Sequence, residues 1–186
     1  MPEQRPVETI KQPGQLEALM QGYQQSDAEA AAMLVTTLSP EIYQFYVGYV
    51  RDRALAEDLL QDFWLRMHGA RHTYRPGEPV LPWVYAIARR VRIDHYRRSR
   101  RRRYHELQSE RLPEAAVRQE RLGTSPEIRD LLKRLPAAQR EVILLLKVSG
   151  LSLEEAARAT GSSVGAVKQK AHRAYEKLRQ LFGSEG

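Results

Sequence analysis

The sequence predicts an all-α protein of two small helical domains joined by a flexible linker. Three observations carry that prediction. Sustained period-two alternation is absent, and so are the Asn-Gly and Asp-Gly dipeptides that turn hairpins. Helix-start signals recur along the chain instead. The apolar residues also gather into two blocks, separated by a stretch rich in Glu and Arg and poor in large side chains.

Residues 1–26 form an N-terminal extension to which the pattern assigns no element. Ser26-Asp-Ala-Glu29 reads as a capping box, in which each end satisfies an orphan amide of the first helical turn, and sets a helix start near 27. Ser39-Pro40-Glu41 puts a capping hydroxyl before a proline suited to the first helical position, predicting a second start near 40. Ala54 to Met67 carries a buried stripe of Ala56, Leu59, Leu60, Phe63 and Met67. A helix from Pro82 buries Val84, Ile87, Ala88 and Val91, with Trp83 also on the core side, and closes the first domain at 103.

Residues 104–125 read as the linker, with Glu114 and Arg118 spaced for a helical pair. About 21 residues reach at most ~70 Å when extended, about two turns of B-DNA. The second domain, 126–182, has starts at Ser125-Pro126-Glu127, near 136, at the capping box Ser152-Leu-Glu-Glu155, and near 163. Residues 183–186 are a tail. Leu153, Ala156, Ala157 and Thr160 form one stripe, Gly161 a turn, and Val164, Val167, Ala171, Ala174, Tyr175 and Leu178 a second stripe. Short helix, glycine turn and longer helix make a helix-turn-helix.

Charge narrows the function. Arg89 to Arg103 holds nine arginines against one acid, Asp94, a local charge of +8 in a chain of net +7. The remainder is therefore close to −1, and a footprint so concentrated points to a polyanion. No apolar run approaches the ~20 residues of a membrane span, and no secretory signal is visible. Cysteine is absent, which excludes disulfides and thiolate sites and fits the cytoplasm. His68 and His72 are spaced for a metal, but Gly69 and Pro76 favour a frayed helix end; no metal or cofactor is expected.

The helix after Ser163 turns Gly165, Ala166, Gln169, His172, Arg173 and Glu176 away from its apolar stripe, with Lys168 and Lys170 on the flanks. Small residues allow close approach to base edges, and Gln169 and Arg173 can pair with adenine and guanine. The lysines suit phosphates, as does Ser162 or Ser163 at the positive helix terminus. An amphipathic hairpin with solvated lysines gives the same periodicity. On the helix from Pro82, Tyr85, Arg89, Ile93 and Tyr96 face away from the core, flanked by Arg90, Arg92 and Arg97. Aromatics among arginines suit unstacked bases; a solvated face with two snorkelling tyrosines is the alternative. Asp58, Gln61, Asp62 and Leu65 form an acidic face with a bare leucine, better suited to a protein than to DNA.

Three segments, AEDLLQDFWLRM (56–67), PWVYAIARRVRIDHYRR (82–98) and LPAAQREVILLLKVSGLSLEEAARATGSSVGAVKQKAHRAYEKLR (135–179), resemble the diagnostic segments of extracytoplasmic-function (ECF) sigma factors. These are two-domain members of the sigma-70 family. The resemblance implies a non-enzymatic factor that binds core RNA polymerase, directs it to promoters and helps open the DNA. Residues 27–103 would be sigma region 2 and residues 126–182 sigma region 4. Asp58, Gln61, Asp62 and Leu65 would dock on polymerase. Tyr85, Arg89, Arg90, Arg92, Ile93, Tyr96, Arg97, Arg100 and Arg101 would serve the −10 element. Ser163, Lys168, Gln169, Lys170, His172 and Arg173 would serve the −35 element. An anti-sigma factor is an expected further partner; a small-molecule substrate is not.

Arg90 stands where family members often carry asparagine, His172 where an aromatic is frequent, and Trp64 where phenylalanine is usual. The alternatives are a stand-alone helix-turn-helix regulator that binds an operator without polymerase, and a nucleic-acid enzyme. For the enzyme, the sequence offers neither a glycine-rich phosphate loop nor metal-spaced acids beside the arginine run.

Overall fold

The computed structural model describes residues 14–50, 52–106 and 126–183. Among them there is no strand. The first domain contains α1 (Gln15–Gln24), α2 (Ala28–Val47), α3 (Arg53–Ala70), a 3-10 turn (Arg71–Thr73) and α4 (Val80–Glu106). The second contains α5 (Pro126–Lys133), α6 (Ala137–Ile143), a π-helical turn (Leu144–Val148), α7 (Leu153–Thr160) and α8 (Val164–Gly183). The linker residues 107–125, with the expected Glu114–Arg118 pair, lie outside the described residues.

Helix α2 begins where expected, but its cap is Asp27 rather than Ser26. Asp27 Oδ1 accepts from the amides of Glu29 (2.9 Å) and Ala30 (3.2 Å), while Ser26 turns the chain at φ 66. The expected start at Ser39-Pro40 is corrected outright, because α2 runs through Pro40 to Val47. An interior proline costs ~3 kcal/mol, but the stripe of Leu34, Leu38, Ile42 and Phe45 is fully buried on both sides of it. Each such side chain contributes ~1.5–3 kcal/mol, so burial wins. The Ser39 hydroxyl, no longer a cap, accepts from Trp64 Nε1 at 3.0 Å and ties α2 to α3.

Asp52 caps α3, whose Ala56, Leu59, Phe63 and Met67 are buried and Leu60 half-buried. Helix α1, unassigned in the sequence, packs on α2 with Met20 fully buried. Its end is pinned by Gln24 Nε2, which donates to the carbonyls of Arg71 and Tyr74, both at 2.8 Å. The Tyr23 hydroxyl lies 2.8 Å from His68 Nδ1, so His68 is engaged within the fold rather than frayed. No group of three potential metal ligands occurs among the described residues. Buried Tyr46 donates to the Ala88 carbonyl at 3.1 Å, joining α2 to α4.

In the second domain, Arg140 reaches back to the carbonyls of Leu132 (2.8 Å) and Lys133 (2.7 Å) and closes the end of α5. The capping box at Ser152 forms as expected, with Ser152 N to Glu155 Oε2 at 2.8 Å and Glu155 N to Ser152 Oγ at 3.1 Å. Gly161 turns at φ 61, a conformation that favours glycine. The π turn was not anticipated. It carries the apolar run onward from α6, and its Ser149 amide bonds the Leu144 carbonyl five residues back at 2.9 Å.

The two domains are packed together. Helix α7 lies against α4, the end of α2 meets the π turn, and one buried cluster runs through both domains. Gly48 sits at this seam, where a Cβ would lie 2.5 Å from Leu144 Cδ2. No helix among the described residues is long and apolar enough to cross a membrane.

Candidate nucleic-acid and protein interfaces

Helix α3 buries one stripe and thereby turns Asp58, Gln61 and Leu65 to solvent, with Asp62 partly exposed. Leu65 is 73% exposed. An open groove separates these residues from α4, with Leu55 and Leu59 on the α3 side and His95, Arg98 and Ser99 on the opposite wall. Asp62 Oδ2 receives Arg98 Nη2 at 3.4 Å, a partly exposed contact. The groove therefore combines carboxylates, an apolar floor and a protruding leucine. The sequence reading found the α3 wall but missed His95, Arg98 and Ser99, whose angular position on the long arginine helix was the available signal.

Helix α8 buries Val167, Ala171 and Ala174 against its own domain. Gln169, His172, Arg173 and Lys168 are exposed, and Lys170 is half-buried at the rim. Two residues expected on the buried stripe are corrected: Val164 and Tyr175 are each 39% exposed. At 100° per residue Tyr175 lies ~80° round the helix from Val167, beyond the edge of the packed stripe, and Val164 occupies the first turn. Ser163 Oγ accepts from the Ala166 amide at 3.2 Å, which leaves its hydroxyl proton available to donate to a phosphate. His172 Nε2 stands 3.8 Å from Glu176 Oε1.

Helix α4 departs most from expectation. Arg90, Arg97, Arg100 and Arg101 are exposed, Ile93 is half-buried, and Tyr96 is 57% exposed. Tyr85, expected on the open face, is fully buried. Its ring meets Phe45 edge-on at 5.4 Å, and its hydroxyl faces Ser149 of the second domain. Burial pushes this phenol well above the usual tyrosine range.

Arg89 and Arg92 are likewise engaged. Arg89 Nε donates to Glu141 Oε1 at 2.9 Å and Arg92 Nη2 to the same oxygen at 2.8 Å. The Arg92 guanidinium also stacks 4.1 Å from the centroid of Tyr49. The physical reason is that the second domain covers this sector of α4. Glu141 was missed by the sequence reading, although an acid beside the apolar run 142–146 was a visible anomaly. Of the three family departures, Arg90 is exposed, His172 lies on the exposed α8 face, and Trp64 joins α3 to Ser39.

Comparisons with known proteins agree with this architecture. The families described as Sigma-70 region 2 and Sigma-70, region 4 match residues 34–102 and 125–178. The chain is 34% identical over 169 residues to the RNA polymerase sigma factor CarQ of Myxococcus xanthus, covering 88% of this chain and 95% of that protein. It is 32% identical over 164 residues to the ECF RNA polymerase sigma factor SigX of Bacillus subtilis (strain 168), covering 82% and 83% respectively.

Among solved structures, CnrH in complex with the cytosolic domain of CnrY has a similar fold, with TM-score 0.72 and 24% identity over 91% of this chain and 98% of that one. Two sequence families in the right order, on a two-domain helical fold, lead to one conclusion: the chain belongs to the extracytoplasmic-function branch of the sigma-70 family of RNA polymerase sigma factors.

Proposed function

We propose a division of labour for this sigma factor in which α3 serves the polymerase and α4 and α8 serve the promoter. Asp58, Gln61, Asp62 and Leu65 dock the chain on core RNA polymerase. Their groove is acidic with an apolar floor, and its complement is a basic, partly apolar protein helix. Arg90, Ile93, Tyr96, Arg97, Arg100 and Arg101 engage the −10 element, Tyr96 stacking on unpaired bases and the arginines holding the backbone, whereas Tyr85, Arg89 and Arg92 are turned inward in this structure. Lys168, Gln169, Lys170, His172 and Arg173 read the −35 element from the exposed face of α8, with Ser163 on a phosphate.

The domains that carry these roles span residues 15–106 and 126–183, wider at their edges than the 27–103 and 126–182 expected from the sequence. The factor acts in the cytoplasm and is not an enzyme: it supplies binding and DNA distortion, and polymerase supplies the chemistry. An anti-sigma factor controls it, a mode of regulation for which the RpoE–NepR pair of Bartonella quintana is a solved case in a similar fold.

The observation that carries the proposal is the segregation of charge on one small chain, an exposed acidic groove on α3 apart from exposed cationic faces on α4 and α8. A regulator acting without polymerase has no use for that groove. Run-off transcription on genomic fragments tests it. Added to core polymerase, the chain is expected to yield discrete start sites, while alone it shifts duplex promoter DNA weakly. Tight operator binding without polymerase, together with no transcript, would overturn the proposal.

A further inference from the structure

The stripe that buries α4 against α3 continues past the point where the core stops. Counting 100° per residue from the buried Val84, Ala88 and Val91 lie within about 40° of it, and both are buried. His95 and Arg98 fall within the same ~40°, and Ser99 at about 60°. These positions face α3, where Asp94 meets Arg66 and Arg98 meets Asp62. Yet they carry polar side chains, His95 and Ser99 half-buried and Arg98 exposed, and they line the groove. Polar groups at core positions are costly to bury unpaired, so the two helices do not close over them.

The charges on the two walls are opposed. Asp58 and Asp62 stand on the α3 side and Arg98 on the α4 side, with Leu55 and Leu59 as the floor. The contact that spans the gap, Arg98 Nη2 to Asp62 Oδ2, is long at 3.4 Å, and its side chains are 54% and 44% exposed. A pair so exposed holds little, and it leaves most donors of the guanidinium free. Ser99 Oγ and His95 Nε2, 3.2 Å apart, add hydrogen-bonding groups to the same wall.

Arg98 is also poorly placed for DNA. Arg90, Arg97 and Arg101 lie about 100–140° round the helix from Val84, on the solvent side. Arg98 instead stands over Asp62 and across from Asp58, two carboxylates that repel a phosphate.

We propose that the groove takes one helix of core polymerase, and that this helix carries charges of both signs. Basic side chains line the edge that meets Asp58 and Asp62, and an acidic side chain stands on the edge that meets Arg98. An amphipathic helix presents an apolar stripe with a polar edge on each side, which matches the order met across the groove: acids, leucines, arginine. The inference rests on the reading of α3 as the polymerase surface and adds the inner edge of α4 to it. Arg98 thereby determines specificity, because it repels a purely basic partner that the two acids alone would accept.

One charge reversal separates the two kinds of partner by sign. Arg98→Glu makes both walls acidic, so a purely basic helix would bind more tightly and a helix with an acid facing Arg98 more weakly. Arg97→Glu, one residue away on the exposed side, is the matched control. The readouts are equilibrium binding of the full chain to core RNA polymerase and its binding to a short forked DNA over a range of salt concentrations.

Arg98→Glu is expected to weaken core binding about three- to tenfold, through one lost exposed pair and the repulsion that replaces it, with the salt slope for forked DNA unchanged. Arg98→Lys keeps the charge and should bind core polymerase within about twofold of wild type. Arg97→Glu should bind core polymerase as wild type does, with a log–log salt slope lower by roughly 0.7–0.9 for one lost phosphate contact. Core binding unchanged or tightened by Arg98→Glu, an equal loss in Arg98→Lys, or a DNA slope that falls as far as in Arg97→Glu would overturn the inference. Asp58→Arg with Gln61→Ala, measured beside them, keeps the two claims apart. If that variant also binds core polymerase as wild type does, the polymerase reading itself is wrong; if it weakens binding while Arg98→Glu does not, only the charge pattern assigned to the partner is.

Discussion

Asp94 Oδ2 lies 2.6 Å from Arg66 Nη1, so the single acid in a run of nine arginines is spent on α3 and not on the cationic face. The hydrogen bond from Arg66, aided by the charges of Arg66, Arg90 and Arg97, holds the Asp94 carboxyl below the usual carboxylate range. A depressed folded pKa stabilises the protein fully above the unfolded value of ~3.9, and that contribution is lost as pH falls through the folded value. Asp94→Asn is expected to cost about 0.5–1 kcal/mol near neutrality, modest because the pair is one-third exposed. Urea unfolding of the two proteins should show this gap closing below ~pH 4; a gap constant with pH contradicts the assignment.

The helix-turn-helix depends on local devices as much as on its core. Ser152→Ala removes one half of the capping box and is expected to destabilise the chain by about 1 kcal/mol. Gly161→Ala puts a side chain at φ 61 and is expected to cost about as much. Thermal unfolding of the two variants checks both values, and losses near zero would mean that the turn is held by packing alone.

Arg173 is exposed, so Arg173→Ala should leave stability unchanged while relaxing recognition at one −35 base pair. The expected discrimination lost is about 1–3 kcal/mol. Transcription from a panel of promoters varied base by base measures it. A uniform fall across all bases would instead make Arg173 a phosphate contact.

Arg100 and Arg101 are exposed beyond the reach of Glu141 and serve the DNA backbone in this account. Replacing both by alanine should flatten the salt dependence of forked-DNA binding, lowering the log–log slope by roughly 1.4–1.8 for two lost phosphate contacts. Titrations over a range of salt concentrations give the slope directly.

The sequence made the periodic parts of this molecule legible. The stripes through Leu59 and Phe63 on α3, through Val84 and Ala88 on α4, and through Val167 and Ala174 on α8 are core because helical spacing leaves them no other face. Non-local balance was not legible. Pro40 reads as a helix start until the stripe on both sides of it is known to be buried. Helix α1 is weakly patterned and is fixed by Met20 and by Gln24 bonding to a distant turn. Tyr85 and Arg89 point away from the core of their own domain, as periodicity requires, and what lies beyond them belongs to another part of the chain. A helical wheel computed one helix at a time contains no such neighbour, so the two arginines read as open when Glu141 holds them.

The account stands on separate surfaces for polymerase and promoter, and equilibrium binding of two variants to core polymerase tests that most directly. Asp58→Arg with Gln61→Ala reverses the charge of the α3 groove and should weaken core binding by at least about tenfold, near 1.4 kcal/mol. Arg173→Ala should bind core polymerase as wild type does. Equal loss in both variants, or none in the first, would contradict the division of the chain between its two partners.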